Sequence, residues 1–516
     1  MYDVPFMTRL PAIFDRTLSA EASAVAWPAD LEMVFAHLAR EAHCVWLDSA
    51  GGPTRLARWS VLAAAPSAVL VHEGGASRLL DAGGRPLCGS LPAGAFDALR
   101  QVLAAATVEN GPAGLPFGPG FYGYLSYDLA PEVESKATLS PRPASSPGGP
   151  TSGGQGGLPE MWLGLYETVL VVDRAERRAM LVGGPPWAGR KAIEDALASA
   201  AAASGAEKPD AAPHPAGLTC NFTRDAYLRA VRRAREYIAA GDIYQVNLSR
   251  RFTATLGGQA ARRGGDAQAG LADLYLRLRR TNPAPYAAYV GLGVGRAVLS
   301  SSPELFLELG PGGRVLTRPI KGTRPRRPGQ AAFNCRARRE LLASPKDRAE
   351  LVMIVDLERN DLGRVCSYGS IRVAEPRAVE AYAAVYHTVA TVEGRLHPDR
   401  SLTDLLRATF PGGSVTGAPK VRAMQIIAEL EPTCRSVYTG AVGFLGPRSA
   451  GEPAGRCVLN IAIRTLLADW PRAYLQVGGG IVADSDPAAE FDETTDKARA
   501  MLAALGLQTE ELGGPP

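Results

Sequence analysis

The chain has 516 residues, 46% hydrophobic and 21% charged, with a net charge of +4. This is the composition of a globular protein with material for roughly two to four domains, which excludes a low-complexity or disordered chain. So small a net charge calls for no polyanionic partner, and the one basic stretch, 318–339, lacks the interleaved aromatics of a nucleic-acid surface.

At the start, "MYDVPFMTRLPAIFDRT" has no apolar signal core, and no uncharged apolar run approaches membrane-spanning length. The seven cysteines (44, 88, 220, 335, 366, 434 and 457) are odd in number and scattered, with no C-x-x-C pair. Reduced thiols in a cytoplasmic protein with no membrane contact are therefore expected. Short strand-like runs follow: "CVWLDS", "GFYGYLSYD" and "WLGLYETVLVVD". The stretch Ser140–Glu160 is too rich in Pro, Gly and Ser to bury a core, so a mobile loop is expected near 137–158. A second such stretch, Ala201–Gly217, separates an N-terminal domain expected over 20–200 from a second domain over 218–508.

Past that linker, "TRDAYLRAVRRAREYIAAGD" predicts a helix capped by Thr223 and stopped at Gly241, and "IYQVNLSRRFTATL" alternates like a strand. Strands are expected at "YAAYVGLG", "AVLSSS" and "LFLELG", and helices at "PKDRAELVMIVDLERNDLG", "APKVRAMQIIAELEP" and "PAAEFDETTDKARAMLAAL". Many strands not each followed by a helix predict an α+β fold rather than a doubly wound sheet.

Four features carry chemistry. In "RPIKGTRPRRPG" a single lysine, Lys321, stands among arginines. Arginine grips carboxylates better, but lysine alone can lose its proton and become a nucleophile; the other reading is a solvated basic loop. Asp347 and Glu350 are three apart on one expected helix, and Glu490 and Glu493 on another, with Lys497 on the same face. Two such faces suit Mg²⁺, although spacing alone also fits two solvated amphipathic helices. "LQVGGGIVADS" places Gly478–Gly480 after a strand, where backbone N–H groups can approach an anion. Arg464 in "IAIRTLL" and His387 in "YAAVYHTVATV" lie in expected apolar strands, each with a structural and a ligand-facing reading. "GGSVTGAPK" is not a phosphate loop, because Ala418 and Pro419 separate Gly417 from Lys420.

In this order the segments "GDIYQVNLSRRF", "SSSPELFLEL", "RPIKGTRPR", "KDRAELVMIVDLERNDLGRV", "PGGSVTGAPKVRAMQII" and "VGGGIVADSDPAAEFDETTDKA" resemble the chorismate-utilising enzymes, densely from about 223 to 505. The resemblance implies two large antiparallel β-sheets packed as a sandwich with helices outside, the two halves of the chain interwoven. It implies Mg²⁺ held directly by Glu350 and Glu493 and through water by Asp347 and Glu490. It assigns substrate binding to Gln245, Gly322, Thr323, Thr416, Tyr438, Arg464, Gly479, Gly480 and Lys497. His387 is implied near the departing ring hydroxyl, Glu304 as the acid/base and Lys321 as the covalent nucleophile. Leu47, Asp48 and Ser49, with Pro285 and Tyr286 of "NPAPY", match a regulatory tryptophan pocket.

Members that add water at C2 resemble one another in carrying a lysine where this chain has Gln245. Anthranilate synthases have alanine at the place of Lys321. Gln245 together with Lys321 resembles the aminodeoxychorismate synthase branch, a transaminase-type transferase of the para-aminobenzoate and folate route. Anthranilate synthase component I is the alternative. The intact set Glu304, Lys321, Glu350 and Glu493 argues against a catalytically silent, ligand-sensing relative. With no glutaminase-like cysteine segment, ammonia is expected from a glutamine amidotransferase partner. Arg318 and Arg324 are expected to favour the uncharged Lys321 amine by repulsion.

Overall fold

The computed structural model describes residues 17–53, 55–109, 114–137, 158–184, 189–202, 215–256, 267–293 and 295–507. The core of the loop expected at 137–158 and most of the linker at 201–217 lie outside the described residues. Two large sheets dominate, one of 12 and one of 11 strands among the described residues, and every pairing within them is antiparallel.

Both halves of the sequence enter both sheets. In the first sheet the strand Tyr286–Gly291 pairs with Val45–Asp48; in the second, Ala441–Gly446 pairs with Gly120–Leu125. The run "WLGLYETVLVVD" shows how this arises. It forms two strands, Met161–Tyr166 and Val169–Asp173, which break at Glu167–Thr168 and belong to different sheets.

The main core lies between the sheets. Val45, Val290, Val298 and Leu467 of the first meet Val69, Phe121, Leu163, Leu307 and Leu459 of the second. Successive strand residues face opposite ways. Ala288 and Val290 therefore join this core, while Tyr289 points into a second core with Phe35, Tyr275 and Met501 beneath the outer helices. Burying such side chains is worth about 1.5–3 kcal/mol each, and this holds the sheets face to face.

The helix expected after Thr223 runs Arg224–Ala239. The Thr223 hydroxyl accepts the Ala226 N–H at 3.2 Å, and Gly241 follows with φ +82°. The carboxylate-bearing helices are Pro345–Gly363 and Pro487–Ala504, capped by Ser344 and Asp486. No helix among the described residues is long and apolar enough to cross a membrane.

Candidate functional site

Lys321 lies on the strand Ile320–Pro325, which pairs with Val385–Arg395 at one end of the second sheet. Its amine donates to the Ser414 carbonyl at 3.3 Å. The Ser414 hydroxyl donates to Glu304 Oε1 at 2.7 Å, so one residue brackets the candidate nucleophile and the candidate acid/base. Sequence reasoning passed over Ser414, although it lies in a quoted motif, because nothing local marks a serine as the link between two distant segments.

Lys321 is half-buried as a residue, but its amine sits in the interior. Burial above all, with the nearby Lys497 charge, pulls its proton affinity down against the opposing Glu350, Glu304 and Glu493. The expected part for Arg318 and Arg324 is not what the structure shows. Arg318 is paired with Glu380 at 2.6 Å and Arg324 with Asp347 at 3.1 Å, so their charges are taken up elsewhere. Glu304 is 4% exposed, and burial raises its carboxyl against the Ser414 hydrogen bond and Lys321. A lysine biased towards the free amine therefore faces a carboxyl biased towards holding a proton.

The two acidic helices bring carboxylates within reach of one another: Glu350 feels the charges of Asp347 and Glu493, and Glu490 that of Glu493. Burial, then Lys497, acts in opposite senses on Glu493, and the 2.6 Å ion pair to Lys497 wins, leaving its carboxyl below the usual range. Burial, with the charges of Asp347 and Glu493, holds Glu350 up; burial and Glu493 do the same to Glu490. Among the described residues no three His, Cys, Asp or Glu side chains are arranged to enclose a metal. The ion that suits such a set is one that takes one or two carboxylates and keeps its waters, which is Mg²⁺. Burial first, and a neighbouring carboxylate charge second, hold Glu350 and Glu490 up, and a divalent cation would relieve that repulsion, so these residues fit the group.

The strand Gln245–Leu256 runs antiparallel to Arg472–Ile481 and forms the wall beside these helices. Gly478–Gly480 do not follow a strand, as expected, but lie inside this one. What the glycines supply is room: a Cβ at Gly479 would stand 2.8 Å from Glu490 Oε2, and one at Gly480 would stand 3.0 Å from Gln245 Nε2. Lys497 donates to the Gly478 carbonyl at 2.9 Å. Arg464 is also placed differently. It sits in the turn between Arg456–Ile461 and Thr465–Asp469 with φ +52°, not in a strand, and forms no ion pair among the described residues.

Gln245 is fully buried with neither amide atom hydrogen-bonded, and Asn247 Oδ1 is also unpartnered. Unpaired buried polar atoms are rare and costly, so they mark a wall prepared for a polar ligand. Tyr438 is buried beside Arg464. Thr416 is buried and donates to the Gly412 carbonyl at 3.1 Å. His387 Nδ1 lies 3.0 Å from the Thr323 hydroxyl and 3.4 Å from the Gly322 carbonyl. Burial, helped by the Arg464 charge, brings His387 down to about 4, so it is neutral at pH 7 and acts as a hydrogen-bonding group rather than a cation.

The chain matches the family of chorismate binding enzymes over residues 42–503. It belongs to that family. It is 42% identical to anthranilate synthase component 1 of Streptomyces coelicolor over 84% of this chain and 82% of that one. It is 38% identical to aminodeoxychorismate synthase component 1 of Klebsiella aerogenes, covering 95% of this chain and 99% of that one. Anthranilate synthase component I from Streptococcus pneumoniae shares the fold with a TM-score of 0.68 at 30% identity, over 86% of this chain and 92% of that one. Overall likeness thus fixes a chorismate-binding enzyme and leaves both kinds of synthase among its relatives.

The residues Leu47 to Ser49, Pro285 and Tyr286 meet between the two sheets. A cavity of about 210 Å³ is lined by Leu47, Asp48, Ser49, Trp59, Pro285 and Tyr286, among others. Ser49 ties its walls together, donating to the Trp59 carbonyl at 2.6 Å and the Pro285 carbonyl at 3.2 Å. Asp48 is held by Arg279 at 2.6 Å and Arg174 at 3.2 Å.

Proposed function

We propose that the protein is an aminodeoxychorismate synthase component I, which replaces the 4-hydroxyl of chorismate with an amino group through a covalent bond to Lys321. The observation that carries this reading is the Lys321 amine, biased towards its neutral form and linked through Ser414 to Glu304.

In this reading Arg464, Tyr438 and Lys497 hold the substrate carboxylates, and the unpartnered Gln245 amide meets a polar group of the ring. Glu350 and Glu493 would hold Mg²⁺ directly, with Asp347 and Glu490 holding its waters, and the bound ion would supply positive charge to complement the substrate carboxylates. The Lys321 nitrogen forms a bond to C2 while the C4–oxygen bond breaks and the Glu304 proton goes to the departing hydroxyl, which leaves as water. Ammonia then bonds to C4 and the C2–nitrogen bond breaks, returning Lys321 as the amine, with Glu304 taking up the proton that ammonia releases. Dividing one hard displacement into two easier ones is what a covalent intermediate accomplishes. Neutral His387, fixed by Thr323, orients the departing hydroxyl. A glutamine amidotransferase subunit delivers the ammonia, and the enzyme acts in the cytoplasm.

The test is the product formed from chorismate, Mg²⁺ and ammonium. Aminodeoxychorismate, which does not fluoresce, is the expected result. Fluorescent anthranilate would replace this reading with the anthranilate synthase one, which the Streptomyces likeness favours.

The cavity around Ser49 is proposed to bind tryptophan. Its aromatic and apolar walls suit an indole. Calorimetry should show saturable binding; no heat at millimolar tryptophan would set this assignment aside.

A further inference from the structure

One buried carboxylate that the mechanism above does not use gathers donors from three separate segments. Glu380, near the end of the strand Arg372–Ala381, is 5% exposed. Its Oε1 accepts from Arg318 Nη2 at 2.6 Å and from Arg55 Nη2, and its Oε2 accepts from the Tyr382 hydroxyl at 3.2 Å. Glu375, on the same strand, accepts from Arg55 Nη1 at 3.1 Å and stands 3.8 Å from Arg318. Two guanidinium groups thus meet two carboxylates, which is what lets Arg318 and Glu380 be buried as ions.

Each donor leads to a different part of the candidate site. The strand Val385–Arg395 lies between Arg372–Ala381 and Ile320–Pro325, and the register sets Glu380 opposite His387 and His387 opposite Thr323. Residues directly opposite across an antiparallel pair are side-chain neighbours on one face, so the three form a row across three strands. Tyr382 adds a second contact: its ring meets the His387 ring edge-on, with centroids 4.9 Å apart, while its hydroxyl is on Glu380. Arg318 ends the strand Arg314–Arg318, and Ile320 and Lys321 lie just beyond it. The Ile320 N–H donates to Glu304 Oε1 at 3.4 Å, and the Thr388 hydroxyl donates to the Lys321 carbonyl. Arg55 comes from the segment between the strands Val45–Asp48 and Trp59–Ala63, in the N-terminal half of the chain.

We propose that Glu380 is a positioning residue: it sets His387 and the segment carrying Lys321 against each other, and Arg55 anchors that setting to the N-terminal half. The proposal rests on the assignment of Lys321 and His387 to the reaction. Glu380 touches no reacting group itself. It acts through Tyr382 on His387, and through Arg318 on the segment that presents Ile320 to Glu304 and Lys321 to the substrate. A carboxylate is what the place requires, because an amide keeps one acceptor oxygen and loses the charge that offsets two guanidinium groups.

The test follows consumption of chorismate, so it does not depend on which product forms. Arg55 is half-exposed, and its removal leaves the Glu380–Arg318 pair in place; Tyr382→Phe keeps the ring and removes the hydroxyl alone. Arg55→Ala and Tyr382→Phe should each lower kcat by about 2–30-fold, the range for residues that act through a packed network, with KM for chorismate nearly unchanged. Wild-type kcat in both variants, whatever their melting temperatures, would mean a purely structural cluster and overturn the proposal. The double variant should depart from the product of the two single effects by at least about twofold, since both groups act on one carboxylate. A simple product overturns the shared role of Glu380 without any change at Glu380 itself. In Glu380→Gln, kcat should already be low and Arg55→Ala should lower it no further; a full second loss there also overturns the proposal. Failure of the amination reading shows elsewhere, in the product and in an active Lys321→Ala variant.

Discussion

Lys321→Ala should leave chorismate and Mg²⁺ binding nearly intact while slowing amination at C4 by more than the ~10²–10⁴-fold that a positioned acid or base alone supplies. Among the described residues the amine's one hydrogen bond is to the Ser414 carbonyl and it forms no salt bridge, so its loss opens a gap without releasing an ion pair there. The alanine variant carries the residue that resembles anthranilate synthases, so residual amination should shift towards C2, visible as anthranilate fluorescence. Lys321→Arg should fail too, because a guanidinium stays protonated and needs more room. Mass spectrometry of the wild type with chorismate and no ammonia should find an adduct on the peptide containing Lys321. A fully active alanine variant with no adduct would return Lys321 to a basic loop.

Glu350→Gln or Glu493→Gln should abolish Mg²⁺-dependent turnover without unfolding the chain. Charge stabilisation by a metal is worth several kcal/mol, and each 1.36 kcal/mol is a factor of ten, so a loss of at least ~10²–10³-fold is expected. Stability should respond in the opposite sense for Glu350. Its carboxyl is held up by burial and by Asp347 and Glu493, so an amide removes a repulsive charge, and the melting temperature without metal should stay level or rise. Titration calorimetry with Mg²⁺ separates the two effects, since binding should weaken in both variants. Unchanged turnover in excess chelator would remove the metal site from the mechanism.

The pH dependence of stability follows from Glu358. Its proton affinity in the folded chain lies above the ordinary carboxyl value of 4.5, at about 8. Between those values the unfolded chain has released the proton and the folded chain has not. Stability therefore falls as pH rises through this window and levels off beyond it.

Much of the site was legible in the sequence because its signals are local. The Thr223 cap, the i,i+3 carboxylates on two helices, and a lysine where arginine would have served for charge alone are all read within a few residues; the structure places the cap and the carboxylates on their expected helices, and Lys321 on a strand rather than a loop. Local pattern also misled. Arg464 reads as a strand residue, but the chain turns there with φ +52°, and Gly478–Gly480 read as following a strand but sit inside a ten-residue one, where Asn247, Glu490 and Gln245 occupy the space Cβ atoms would take. Protonation was the least legible property. The source assigned to the Lys321 shift was two neighbouring arginines, yet both are paired elsewhere, and the shift arises mainly from burial, with Lys497 adding to it. Glu304 and Ser414 are 110 residues apart, and Glu358 answers to Glu304 and Lys420 on separate elements. Sequence patterns report which faces of an element are apolar; burial and charge are sums over whatever the fold brings near, so only the packed sheets decide which lysine loses a proton and which carboxyl keeps one.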